Sequence, residues 1–228
     1  MEFIRATGPL GLLTVGGACV FALSGLVAIL LSKRWYVYLL GAGIVLTLVL
    51  GHLVRWIAVG KANAEIMSSG GQANSADVAK ALALADYGPL FAFYGCVLLS
   101  ALIALGRFLD KQRPRKPRFD VVLFAFSSFV FSAIGTVQLI SLNDGIASGG
   151  GVPNFTSQEA EGAGESSQPR LVVESSGQLA EFSGTLQPKF ERALLYRGMG
   201  KWGLLGVVLF LLVSLRSKKG AAAADPEA

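Results

Sequence analysis

The stretch Trp35–Lys61, WYVYLLGAGIVLTLVLGHLVRWIAVGK, decides the fold of this chain. It holds no ionisable side chain before His52, and it exceeds the roughly 20 apolar residues that a membrane-crossing helix needs. Trp35, Tyr36 and Tyr38 open it with amphipathic rings suited to the headgroup level of a bilayer. Gly43, Thr47 and Gly51 recur at every fourth position, a small-residue face that lets another helix backbone approach closely. Arg55 continues that row. His52, the single histidine of the chain, sits one step round, within reach of Arg55 at i+3 and Trp56 at i+4.

Working outward, Pro9 to Leu31 is also apolar and free of ionisable groups. It is longer than the roughly 7–15-residue core of a cleavable signal and runs into Lys33-Arg34 without a small-residue cleavage site, so it reads as a first span. Ala18, Ala22 and Gly25 lie on one of its faces, with Gly17, Ser24 and Ala28 on the next. On the other side of the central stretch, 61–85 turns polar around Ser68-Ser69-Gly70-Gly71. Asn74 or Ser75 can cap a short interfacial helix, SADVAKALALA, with Val78, Ala81, Leu82 and Ala85 on its apolar face. Asp86 followed by Pro89 reads as a new helix start, with the acid near the positive end of the helix dipole.

The third span is expected over Leu90–Phe108, with Cys96, Ser100 and Ala104 four apart, followed by the basic link DKQRPRKPRFD. The fourth runs from Val121 to about Leu142 and carries a hydroxyl stripe at Ser128, Ser132 and Thr136, with Gly135 and Gln138 alongside. Hydroxyls in a membrane helix most simply bond back to the i−4 carbonyl or across to a neighbouring helix. The segment 143–200 opens with a Gly/Ser/Glu-rich linker. After it comes a small hairpin, Leu171–Glu174 with Gln178–Phe182, and then an interfacial helix opened by Pro188. A fifth span covers 201–217, and 218–228 reads as a disordered tail.

The expected fold is therefore all-α: a polytopic membrane helix bundle of about five transmembrane helices with one extracytoplasmic polar segment. Residues 1–142 form the four-span part. Composition agrees. A soluble domain is about a quarter charged, whereas this chain is 15% charged and 53% hydrophobic, with a mean hydropathy of +0.56. Cys19 and Cys96 both lie in apolar runs, where cysteine behaves as a small hydrophobe, and they define neither a disulfide framework nor a zinc site. The net charge of +5 sits in short links without the interleaved aromatics that stack bases, so no nucleic-acid partner is expected.

Links 32–34, 107–120 and 216–228 hold eleven Lys/Arg, against nine in the remainder. The positive-inside rule then places them in the cytoplasm, with the N-terminus outside, the C-terminus inside and the cell (inner) membrane as the location. Asn154-Phe155-Thr156 on the outer segment would be a glycosylation acceptor in a eukaryotic host.

Acidic groups within the bilayer mark proton relays and cation sites. Asp86, Asp110 and Asp120 all read as lying at span ends, which weighs against a proton channel, pump or cation-coupled carrier. No base-activated nucleophile is apparent, so no enzyme activity is expected. His52 and Arg55 remain as candidate cofactor-binding residues. A neutral imidazole can ligate haem or hydrogen-bond a quinone or pigment, and an arginine can hold a propionate or an acidic headgroup. One histidine cannot supply both axial ligands, so such a cofactor would be shared with a partner. LVRWIAVG, with His52 just before it, resembles a fragment of cytochrome c assembly proteins, but the tryptophan-rich haem-handling segment of those proteins is missing and no family follows. The expected partners are the lipid bilayer and other membrane subunits. The expected role is that of a non-catalytic accessory or scaffolding subunit. A subunit contributing to a haem, quinone or pigment site through His52 is the first alternative, and a small transporter or channel subunit the second.

Overall fold

A computed structural model describes residues 2–31, 35–68, 75–109, 119–148 and 178–222. These form five helices: α1 (Glu2–Leu30), α2 (Tyr36–Ser68), α3 (Ser75–Leu109), α4 (Phe119–Ser148) and α5 (Gln178–Ala222). Among the described residues there is no strand. In hydrocarbon every backbone N–H and C=O must be satisfied within the protein, and a helix does this inside one segment. Each helix contains a stretch long and apolar enough to cross a membrane: Gly11–Leu30, Tyr36–Ala64, Asp77–Leu109, Asp120–Ser148 and Pro188–Leu212. The chain is a multi-pass integral membrane protein.

Successive helices run antiparallel, and glycines mark where their backbones meet. A Cβ on Gly25 of α1 would meet Leu40 of α2, and one on Gly43 would meet Phe21. Gly51 faces Ala92 and the Gly88 backbone of α3, while Gly106 faces Tyr36. Gly135 of α4 abuts Ala193, Tyr196 and Arg197 of α5, and Gly203 abuts Phe129. The alternation places the C-terminal ends of α1, α3 and α5 with the N-terminal ends of α2 and α4 at one end of the bundle, and the other helix ends opposite.

Helix α3 is the centre, packing on α1, α2 and α4; α5 pairs with α4 and touches α2 lightly. Its inward row Ala79, Ala83, Asp86, Leu90, Phe93 and Cys96 is at most 7% exposed at every position. The row joins a core that includes Leu40 and Ile44 of α2, Ala125 and Phe129 of α4, and Val207 of α5. The expected small faces are used inside the chain. Thr47 is buried between helices, and the Cys96 thiol donates to the Ile44 carbonyl. The hydroxyl stripe of α4 bonds back as expected, Ser128 to Phe124, Ser132 to Ser128 and Thr136 to Ser132.

Three expectations are corrected. Ser75–Ala85 is not a separate interfacial helix ending before Asp86: α3 runs unbroken through Asp86 and Pro89. Pro89 is fully buried, and a proline is tolerated in a membrane helix because surrounding helices re-satisfy the freed backbone groups. Gln178–Phe182 is helix and not a hairpin strand. The Pro188 helix and the fifth span form one 45-residue helix, whose membrane-crossing stretch begins at Pro188 and not at 201. Leu171–Glu174 and Asn154 lie outside the described residues.

Candidate functional site: an ion-paired groove between α2 and α5

The inward row of α3 carries one carboxylate, and its register fixes where that group points. Asp86 follows Ala83 by three and precedes Leu90 by four, so it shares their buried face. It lies nine residues beyond Asp77, about 14 Å along the axis from the start of the membrane-crossing stretch. Its side chain is 4% exposed. The expectation that no acid falls inside a span is therefore corrected at Asp86.

A buried carboxylate needs charged or hydrogen-bonding partners. Asp86 has two. Arg55 of α2 donates through Nε to Oδ1 at 2.7 Å, and Arg197 of α5 donates through Nη1 to the same oxygen at 2.9 Å. One oxygen thus links three helices, between residues 31 and 111 positions apart in sequence. The two arginines differ in setting: Arg55 is 37% exposed and Arg197 14%.

His52 lies three residues before Arg55 and borders the same region. Its ring meets Phe93 edge-on, centroids 6.2 Å apart and planes at 88°. Arg55 lies one turn on along α2. The back of the ring's neighbour is fixed from α5, because Gly200 allows Phe93 and Ser132 to come close. Ser132 also reaches the Tyr196 carbonyl across the α4–α5 seam at 3.3 Å. The result is a polar cluster with His52 and Arg55 from α2, Arg197 and Lys201 from α5, and the buried Asp86 and Phe93 of α3 between them.

Of the residues expected to matter, His52 and Arg55 come together here. Asp86, Arg197 and Lys201 were not anticipated as their companions. The spacing of small and apolar residues on α3 carries the signal for Asp86, since the 79–83–86–90–93 row continues through it without a change of phase. Arg197 was hidden because 143–200 reads as lying outside the bilayer.

The group can bind and orient, and it holds charge inside the span. A neutral imidazole offers one donor and one acceptor nitrogen to an outside group. The chain has no second histidine, and the described residues hold no cluster of His, Cys, Asp or Glu suited to a metal ion. A haem at His52 would thus draw its second axial ligand from elsewhere. Comparison with protein-family models, curated proteins and solved structures finds no match for the chain.

Proposed function

We propose that this protein is a non-catalytic accessory or scaffolding subunit of a larger integral-membrane complex. The observation that carries this reading is the position of α1. Only 28% of its membrane-crossing stretch is buried, against 56% for α3. Gly16 and Gly17 face open space, while Val20 and Leu23 beside them are 63% and 64% exposed. An exposed glycine pair on a lipid-facing helix lets the backbone of a partner helix approach closely. Gly41, Gly43 and Gly51 of α2, in contrast, are already covered within the chain. The internal ionisable groups support a structural role, since Asp86 is engaged by two guanidinium groups and is not an open carboxylate for a proton or cation path.

On this reading, the docking surface outside the bilayer that the sequence places in 143–200 is confined to what lies between the crossing stretches ending at Ser148 and beginning at Pro188. The protein lies in the cell (inner) membrane with its N-terminus out and its C-terminus in the cytoplasm, as the distribution of Lys and Arg favours. Extraction in mild detergent, with identification of every co-purifying chain, tests the proposal. Defined partner subunits are expected, whose yield falls in Gly16→Leu; a monodisperse single chain in both proteins would reject it.

A second reading, a subunit contributing to a haem, quinone or pigment site, is favoured by one observation: the His52 ring is exposed beside the polar cluster. It predicts a visible or quinone absorbance in the purified complex that is lost in His52→Ala. A colourless, quinone-free complex removes it. The further alternative, a small transporter or channel subunit, would require uptake or conductance in liposomes.

A further inference from the structure

The ion triad is not charge-balanced. Two guanidinium groups share one carboxylate oxygen, each through a single N–H, and leave one positive charge over. Lys201, exposed and one turn beyond Arg197 on the same face of α5, adds a second. Among the described residues no carboxylate pairs with Lys201. Each guanidinium has five N–H donors, so most remain beyond the one given to Asp86. Excess charge at membrane depth is costly unless it meets an opposite charge or water.

The surroundings indicate which anion fits. Trp56 and Trp202, adjacent in sequence to Arg55 and Lys201, are 74% and 61% exposed and set amphipathic rings beside the cations. From Lys201 toward the bundle's middle, Leu205, Val208 and Leu212 follow on one helix face, 46%, 37% and 56% exposed. On α2, Val49 lies one turn inward of His52 and is 58% exposed. A ligand seated here meets cations at one end and apolar surface beyond them, which is the polarity of a lipid. Basic pockets between membrane helices hold anionic headgroups in this way.

We infer that the cations presented by α2 and α5 bind the phosphate of an anionic membrane lipid, with Arg55, Lys201 and the more buried Arg197 as donors. The acyl chains then lie along the exposed apolar faces of α2 and α5.

The purified full-length protein, stripped of lipid in detergent, is titrated separately with phosphatidylglycerol, phosphatidylcholine and inorganic phosphate, with lipid adducts counted by native mass spectrometry and stability followed by thermal unfolding. Phosphatidylglycerol is expected to bind in preference to phosphatidylcholine and to raise the unfolding temperature. Lys201→Gln, which leaves the Asp86 pairs in place, should weaken phosphatidylglycerol binding about fivefold, the loss of one cation near a lipid headgroup. Phosphatidylcholine binding should stay unchanged in that variant, and Lys201→Arg should keep the preference. Equal binding of the two lipids by the wild type, or an undiminished preference in Lys201→Gln, would overturn the inference. Stabilisation by inorganic phosphate with none by phosphatidylglycerol would overturn the assignment to a lipid.

Discussion

Arg55 Nε lies 2.7 Å from Asp86 Oδ1, and that contact joins the C-terminal half of α2 to the inward face of α3, the helix that packs on α1, α2 and α4. The same oxygen receives Arg197. A single carboxylate therefore ties α5, the last helix, to a core built mostly by α2, α3 and α4.

Unequal burial sets the order of the costs. Asp86→Asn leaves two guanidinium groups without their anion and should destabilise by about 2–4 kcal/mol; this is toward the low side for a buried pair because Arg55 can turn to solvent or headgroups. Arg197→Gln should cost about 1–3 kcal/mol, the range for a charge-assisted hydrogen bond with some burial. Arg55→Gln, at a side chain more than one-third exposed, should cost no more than about 1 kcal/mol. Denaturation by titrated SDS from mild detergent micelles gives the three values, and a different order would show that the pairing is distributed otherwise.

Glycines on the two sides of the bundle should respond in opposite ways. A Cβ on Gly51 would overlap that of Ala92 and lie 2.9 Å from the Gly88 carbonyl oxygen. Gly51→Ala must push α2 from α3 and should cost about 1–3 kcal/mol, as overpacking does. Gly16→Ala meets nothing within 4 Å and should be neutral or stabilising by up to about 1 kcal/mol through helix propensity. Unfolding temperatures of the two variants, measured side by side, check the contrast.

The hydroxyl stripe should matter little. Thr136 bonds back to the Ser132 carbonyl at 2.8 Å, and membrane hydrogen bonds of side chains average only about 0.6 kcal/mol. Thr136→Val should therefore change stability by less than about 1 kcal/mol. A larger loss would assign the stripe a role beyond local bonding.

The two cysteines should separate by access. Cys19 is exposed on α1, whereas Cys96 is wholly buried with its thiol on the Ile44 carbonyl. A small, membrane-soluble maleimide should modify Cys19 in the folded protein and reach Cys96 only after denaturation, as intact-mass measurement before and after SDS would show. Modification of both in the folded state would contradict the packing of α2 on α3.

Much of this architecture is legible in the residues. An apolar run marks each of the five spans, and Gly43, Thr47 and Gly51 announce a close seam, because the hydrocarbon core imposes length and apolarity on any helix that crosses it. Asp86 is harder to read. An acid three residues before a proline is the signature of a helix start in water, and inside a bundle the same pair sits mid-helix because arginines from α2 and α5 supply the missing charge. Those arginines lie far away in sequence, and no local pattern reports them. Arg197 also lowers the hydropathy of its own span to 1.3, the least of the five, so α5 reads as starting too late. His52 and Arg55 are visible as candidates, while the polar cluster around them needs the tertiary packing of Phe93 and Gly200.

The bond between Asp86 and Arg197 is tested most directly by a double-mutant cycle of Asp86→Asn, Arg197→Gln and the pair, with stability read from SDS titration in the same detergent. If the carboxylate holds α5 to α3 as the 2.9 Å contact indicates, the double variant should be more stable than the sum of the single losses by about 1–3 kcal/mol, as expected for residues in contact. Single losses that add within about 0.5 kcal/mol, the behaviour of independent sites, would contradict it.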